Sequence, residues 1–306
     1  MFILTVLGAL TAAYFLVRFL LFVKLYFLTS VDLKAKYGKV GSWAVVTGAS
    51  EGIGHAIAVE LSQRGFNVCV IARTKSKLDE AVAEIESNRV KGLAIPFDFS
   101  AATNDQYKAL FAQLDTLDIG ILVNNVGINY DYANYFDAVG NEVDDRLIKV
   151  NCEPMIRLSK YIIPRFKTKK GGAIVNLASF TATTPSPMLS TYAGTKSFAR
   201  SFSDGMAYEL AEFGIDVLTV KPGLVVSKMT QGTGSRPPKP SFTMVAAKPM
   251  ARQTLNKLGS TVETSGHVNH AIIESIWSWL PEGTSSKIIL GINKTTKSKA
   301  ERKLSK

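Results

Sequence analysis

From Trp43 onward the chain alternates short segments that are apolar throughout with longer ones whose apolar residues recur every three or four positions. The apolar runs at 43–47, 67–71, 92–96, 119–124, 173–177, 216–221 and 287–290 predict strands. The amphipathic stretches at 52–64, 75–88, 104–114, 143–167 and 191–212 predict helices. A strand that is apolar on both sides has to be covered on both sides, and helices between successive strands supply that cover. The pattern therefore predicts an α/β domain, a doubly wound parallel sheet, over residues 43–292. Residues 224–264 break the rhythm: Gly232, Gly234, Pro237, Pro238 and Pro240 predict a loop, followed by a short helix. An insertion after the sixth strand lies beside the ligand crevice at the carboxyl ends of the strands, as a lid over substrate or as a passive surface loop.

A different pattern precedes the domain. Residues 1–17 carry no charge, and after Arg18 the apolar run continues to Leu28 with only Lys24 interrupting it. About 20 apolar residues suffice to cross the hydrocarbon. Arg18 lies near the end of the run, where a long side chain can snorkel to the interface. No basic region leads the stretch and no small-residue cleavage site follows it, so residues 1–28 predict a retained membrane anchor rather than a secretory signal. It either spans the bilayer or lies in one leaflet. Residues 29–42 are expected to be a linker, and Lys24, Lys34, Lys36 and Lys39 put the following domain on the cytosolic side.

A length of 306 residues with 46% hydrophobic content leaves room for one catalytic domain behind that anchor. Neither the two cysteines, Cys69 and Cys152, nor the three histidines, His55, His267 and His270, have metal-ligand spacing. No metal is expected, and zinc hydrolysis is excluded. The net charge of +11 is uneven, since six of the last thirteen residues are Lys or Arg against one Glu. The tail at 293–306 is thus a solvated end or rests on anionic lipid headgroups, and no nucleic-acid partner is expected.

The chemistry sits in two places. The turn TGASEGIG at 47–54 brings Gly48, Ser50, Gly52, Ile53 and Gly54 between the first strand and the first helix. Glycines there let backbone amides approach a pyrophosphate at the helix amino terminus. The second strand ends in Arg73 followed by Lys75 and Lys77, with no acid to meet a ribose 2′-hydroxyl, which favours a 2′-phosphate and hence NADPH. Tyr192 and Lys196 stand four apart, so they project from one face of a helix, one turn above the other. A phenol of pKa about 10 is a poor acid near neutrality, and a neighbouring ammonium, with the positive ring of the oxidised cofactor, is expected to lower it.

TGASEGIG, NNVG at 124–127 and the ordered set Asn151, Ser179, Tyr192, Lys196 together resemble the short-chain dehydrogenases/reductases, a family of Rossmann type. The resemblance implies that Tyr192 is the general acid, Lys196 its tuner and ribose clamp, Ser179 the group that holds the substrate carbonyl, and Asn151 the holder of a water. It also implies cofactor contacts from Asp98 to adenine, from Asn125 and Gly127, and from Pro222, Gly223, Val225 and Ser227 beside the nicotinamide. Within the family the chain resembles the membrane-bound very-long-chain 3-oxoacyl-CoA reductases and their 17β-hydroxysteroid dehydrogenase relatives. The anchor ahead of Tyr37, PGLVVSKM at 222–229, and the late His270, Trp277 and Pro281 carry that likeness.

The likeness implies reduction of a 3-oxoacyl-CoA at the endoplasmic-reticulum membrane, alongside other fatty-acid elongation enzymes. A steroid or retinol dehydrogenase is the alternative, and a non-catalytic dinucleotide-binding scaffold is a reading of another class. The two long helices imply a homodimer interface or an anchored monomer. The carboxyl terminus lacks the dilysine register of a retrieval signal, which leaves retention to the anchor.

Overall fold

The computed structural model describes residues 1–231 and 238–304, so Gly232, Gly234 and Pro237 of the expected loop lie outside the described residues. A first helix, α1 (Phe2–Val23), widens into a π-helical turn at Lys24–Leu28, and α2 (Leu33–Tyr37) follows. Then come β1 (Trp43–Thr47), α3 (Gly52–Gln63), β2 (Asn67–Ala72), α4 (Lys75–Glu86), β3 (Gly92–Pro96), α5 (Asn104–Leu114) and β4 (Ile119–Asn124). The second half holds α6 (Asn141–Asn151), α7 (Glu153–Lys169), β5 (Gly172–Leu177), α8 (Ser190–Ala211) and β6 (Ile215–Val220). After it come β7 (Leu224–Val225), α9 (Lys228–Gln231), β8 (Met244–Val245), α10 (Ala247–Leu255), β9 (Glu263–Thr264), α11 (Val268–Trp277) and α12 (Glu282–Leu304).

Seven strands form one parallel sheet in the order β3-β2-β1-β4-β5-β6-β9, with helices on both sides. This is the doubly wound, Rossmann-type arrangement that the apolar runs predict. Two apolar layers flank the sheet, one built on Val46, Ile57, Val70, Val123 and Val175, the other on Val45, Ile71, Leu122, Leu158 and Ile174. Alternate residues of each strand thus enter opposite layers, as the period of two requires. The chain reverses direction across the sheet between β1 and β4, and that switch opens a crevice at the carboxyl ends of the strands.

Three expectations are corrected. The run at 287–290 is not a strand but part of α12, where Ser285, Asn293 and Ala300 form one buried face at helical spacing. The seventh strand is instead β9, two residues long, held by pairing of Thr219 with Glu263 and Val220 with Thr264. The helix predicted over 143–167 is two helices that meet at Cys152, which has φ −112° and ψ −50°. Pro154 explains the break, because it has no N–H for the Val150 carbonyl and its ring crowds that turn.

The segment at 29–42 is packed, with Leu33 and Tyr37 each 1% exposed in the first apolar layer and the Tyr37 hydroxyl donating to Asp216 at 2.7 Å. Residues Phe2–Leu28 form the only helix among those described that is long and apolar enough to cross a membrane. Arg18 does not reach toward the near end of that helix. It turns back one turn to donate to the Tyr14 hydroxyl at 2.9 Å, as helical side-chain directions favour.

Candidate active site

The glycine turn is shaped by its neighbours. Gly48 and Gly52 have φ of +63° and +65°, the left-handed region that glycine enters without strain. A Cβ on Gly54 would stand 2.3 Å from Asn125 Nδ2 and 2.4 Å from the Gly48 carbonyl oxygen, so no larger residue fits there. Asn125 locks the turn from the other side, donating through Nδ2 to the Thr47 carbonyl at 2.9 Å and to that of Gly48 at 3.1 Å. Thr47 Oγ1 in return accepts from the Asn125 and Val126 amides at 3.0 and 3.1 Å. Ser50 and Ile53 lie in the same turn, and Ser227 faces it, since a Cβ on Gly52 would stand 3.3 Å from that of Ser227. The result is a rigid backbone cradle at the amino terminus of α3, which fits a dinucleotide pyrophosphate.

Of the residues expected around the ribose and adenine, Arg73 is exposed at the end of β2. Lys77 is paired with Glu51 at 2.7 Å. Asp98 accepts from the Ser100 amide and hydroxyl at 2.9 and 2.7 Å. Burial pulls the Asp98 pKa up, but the Ser100 hydrogen bonds and the Arg73 charge outweigh it and hold the carboxyl below its usual value.

At the other end of the crevice, Tyr192 on α8 stands beside Ser179, which follows β5, close enough for the serine hydroxyl to act on the phenol. Lys196, one turn on, donates to the Leu177 carbonyl at 3.0 Å and stands 5.8 Å from the Tyr192 ring centroid. A Cβ on Gly127 would lie 3.3 Å from both Lys196 Nζ and Asn151 Oδ1, so the loop after β4 closes the group. The Tyr192 and Lys196 side chains are both deeply buried. Burial lowers the Lys196 pKa to about 8. It also raises that of Tyr192, with Ser179 pulling the other way. The expectation that the ammonium lowers the Tyr192 pKa is therefore not met in the chain alone, because desolvation of a phenolate dominates in so dry a position.

Asn151 ends α6, and its side chain is fully engaged. Its Oδ1 accepts from the Ile128 amide at 2.8 Å, while Nδ2 donates to the Ile128 carbonyl and to Thr195 Oγ1, each at 3.0 Å. Thr195 Oγ1 passes its own proton to the Tyr192 carbonyl at 2.7 Å, so Asn151 is coupled to the first turns of α8. Tyr130 acts on the same helix, accepting the Thr191 amide at 3.2 Å and donating to Asp144 at 3.3 Å. The turn at Pro222 and Gly223 is fastened twice. The Pro222 carbonyl accepts from the Phe180 amide at 2.9 Å, and the Gly223 amide donates to His270 Nδ1 at 3.2 Å. Burial lowers the His270 pKa and favours the neutral ring, which presents Nε2 to the Leu224 carbonyl at 3.1 Å.

Thr195, Tyr130 and the anchoring role of His270 were not legible in the sequence, because each contact joins segments far apart in the chain. Val225 lies in β7, paired with Val245. Among the described residues no cluster of His, Cys, Asp or Glu is arranged to hold a metal.

A parallel sheet of this order, a glycine cradle at α3 and a Tyr–Ser–Lys group across the crevice define an oxidoreductase with a nicotinamide dinucleotide cofactor. The family model for the short chain dehydrogenases matches residues 42–237, and the chain belongs to that family. It is 36% identical over 258 residues to a very-long-chain 3-oxoacyl-CoA reductase of Anas platyrhynchos, covering 83% of this chain and 81% of that protein. A Homo sapiens protein of the same name is 34% identical over 261 residues, with coverages of 84% and 81%. Among solved structures, a Sphingobium yanoikuyae short-chain dehydrogenase in complex with NADPH superposes with a TM-score of 0.62 at 29% identity. That match covers 68% of this chain and 81% of the other. A 7β-hydroxysteroid dehydrogenase reaches a TM-score of 0.75 over 85% of this chain and 99% of its own, but at 20% identity it speaks for the fold alone.

Proposed function

We propose that this chain is an NADPH-dependent ketoreductase that reduces 3-oxoacyl-CoA to 3-hydroxyacyl-CoA in fatty-acid elongation. The placing of Tyr192 beside Ser179 and next to a buried Lys196 carries the reading. When bound, the nicotinamide supplies the hydride. Ser179 holds the substrate carbonyl oxygen, and Tyr192 delivers the proton to it. The raised Tyr192 pKa suits this direction, since the phenol is fully protonated at neutral pH and so is available as an acid. Lys196, with a pKa near 8, is poised to return a proton to Tyr192 close to neutrality. Asn151, through Ile128 and Thr195, holds the segment that presents both groups.

Gly48, Ser50, Gly52, Ile53, Gly54, Asn125 and Gly127 would hold the dinucleotide, with Asp98 beside adenine. Pro222, Gly223, Val225 and Ser227 would flank the nicotinamide. Preference for the 2′-phosphate rests on Arg73, the exposed cation at the end of β2, more than on Lys77, whose charge Glu51 already meets. The names of the relatives favour an acyl-CoA over a steroid, and the basic charge of the chain suits an acidic CoA.

The same reading places residues 1–28 as an anchor in the endoplasmic-reticulum membrane and the domain on the cytosolic face, supported by the lysines after α1. Asn293 begins an Asn-Lys-Thr sequence of the kind that accepts a glycan, but it is only 9% exposed and donates to the Pro187 carbonyl at 2.8 Å, so its side chain is turned into the fold.

The test is turnover of the purified full chain with NADPH or NADH against a long 3-oxoacyl-CoA and a 17-ketosteroid. Oxidation of NADPH with the acyl-CoA and not with the steroid is the expected result. The reverse preference would replace this reading with the steroid one, and no turnover of any ketone would leave a binding scaffold.

A further inference from the structure

The connection from α11 to α12 exposes large apolar side chains. Ile276 and Trp279 are 62% and 74% exposed, and Ile288 and Ile292, one turn apart on α12, are 41% and 55% exposed. Trp279 is not isolated in space, for its ring lies 5.7 Å from that of Phe15 on α1. The base of α1 is also fastened to the domain. The Tyr26 hydroxyl meets Thr264 Oγ1 at 3.1 Å and accepts the Ser265 amide at 3.2 Å, and Lys257 Nζ lies 4.4 Å over the Tyr26 ring. Two contacts, at Phe15 and at Tyr26, therefore fix the direction of α1 against the body.

That direction sets a depth. Phe15 precedes Lys24 by nine residues, which is about 14 Å of helix. With Lys24 at the headgroups, Phe15 lies in the acyl region, and Trp279 must lie there with it. We propose that the tip between α11 and α12 is a second membrane contact, in which Ile276 and Trp279 enter the same lipid leaflet as Phe15. The proposal rests on the membrane reading of α1 and goes beyond it. The occupant is phospholipid because the tip continues the surface of α1, none of which is buried by protein. What covers one covers the other.

Charge sets how deep the tip goes. Glu282 and Lys287 follow Trp279 closely and are costly in hydrocarbon, so immersion stops at the first turn of α12. Trp279 then lies on the acyl side of that limit, with Phe15. The other end of the element faces the chemistry, since the ring of Trp277 packs edge-on against Phe180 at 5.9 Å, next to Ser179. An acyl chain would then reach Tyr192 from the bilayer without crossing water.

The experiment uses the full chain in vesicles of phosphatidylcholine and phosphatidylserine whose acyl chains are brominated. One version keeps Trp279 as its single tryptophan through Trp43→Phe and Trp277→Phe. The control carries those two changes with Trp279→Phe and Phe19→Trp, so that α1 reports itself. Both are expected to lose most of their fluorescence. Quenching of the α1 probe with Trp279 unquenched and open to aqueous iodide would overturn the proposal while the anchor stands. If neither is quenched, the membrane reading of α1 falls and the proposal with it.

A second measurement avoids the core replacements. Trp279→Cys in the otherwise unaltered chain is treated with a charged thiol reagent, with Cys69 and Cys152 of the parent as baseline and the exposed position Ser87→Cys as reference. Protection in vesicles that is lost in dilute detergent supports lipid cover. Labelling in vesicles as fast as at position 87 overturns it, and so does protection that persists in detergent in a chain that elutes as a dimer.

Discussion

His270 accepts the Gly223 amide at Nδ1 at 3.2 Å and turns Nε2 to the Leu224 carbonyl at 3.1 Å, so one neutral ring fastens the turn after β6 from a helix 47 residues further on. Replacing it with Leu removes the partner of a part-buried N–H and a part-buried carbonyl, which costs on the order of 1 kcal/mol. The urea midpoint of His270→Leu is expected to fall accordingly, with the Michaelis constant for the cofactor rising. An unchanged constant for the cofactor would separate this ring from the nicotinamide turn.

Tyr192→Phe removes the proposed proton donor and leaves the ring in place. A loss of about 10²–10⁴-fold in kcat is expected, the range for a positioned general acid. Cofactor affinity, read by fluorescence titration, should change little. Turnover near the parent value would remove Tyr192 from the mechanism.

Lys196 gives a signed pH effect in the cofactor-free protein. Its folded pKa, about 8, lies below the unfolded value of 10.5, so between those limits the unfolded chain binds more protons. Stability due to this group must therefore rise with pH across that window. The buried Cys69 and Tyr107, whose pKa values are raised, act in the opposite sense at higher pH. They cancel when the parent is compared with Lys196→Met. The unfolding free energy of the parent relative to Lys196→Met is expected to increase from pH 8 to 10.5 by an amount on the order of 3 kcal/mol. A flat difference would mean that Lys196 is not desolvated.

Arg73→Ala tests the preference between cofactors. Loss of a cation opposite a 2′-phosphate is expected to raise the Michaelis constant for NADPH by roughly 10- to 100-fold, in line with the worth of a charge-assisted hydrogen bond. The value for NADH should stay near the parent's. Lys77→Ala should have the smaller effect, since Lys77 is held by Glu51 at 2.7 Å. Equal effects on both cofactors would assign Arg73 to the surface.

The six long strands and the helices between them were legible because burial on both sides writes itself as unbroken apolar runs, and Tyr192, Lys196 and the glycine turn were legible because their chemistry is local. A spacing of four on a helix, or eight residues in a turn, fixes geometry without help from the rest of the chain. What the sequence left open depended on contacts between distant segments. β9 is two polar-edged residues that become a strand only because β6 offers an open edge, whereas the apolar run at 287–290 became helix because Ser285, Asn293 and Ala300 share a face against the domain.

The amino acids alone determined the type of sheet, the glycine turn and which side chains are candidates for the chemistry. Tertiary structure decided the direction of the Tyr192 pKa shift, the seating of Asn151 through Ile128 and Thr195, and the meeting of Phe15 with Trp279. Each of those depends on which surfaces lose their water, and dehydration is a property of the assembled fold rather than of any segment of the chain.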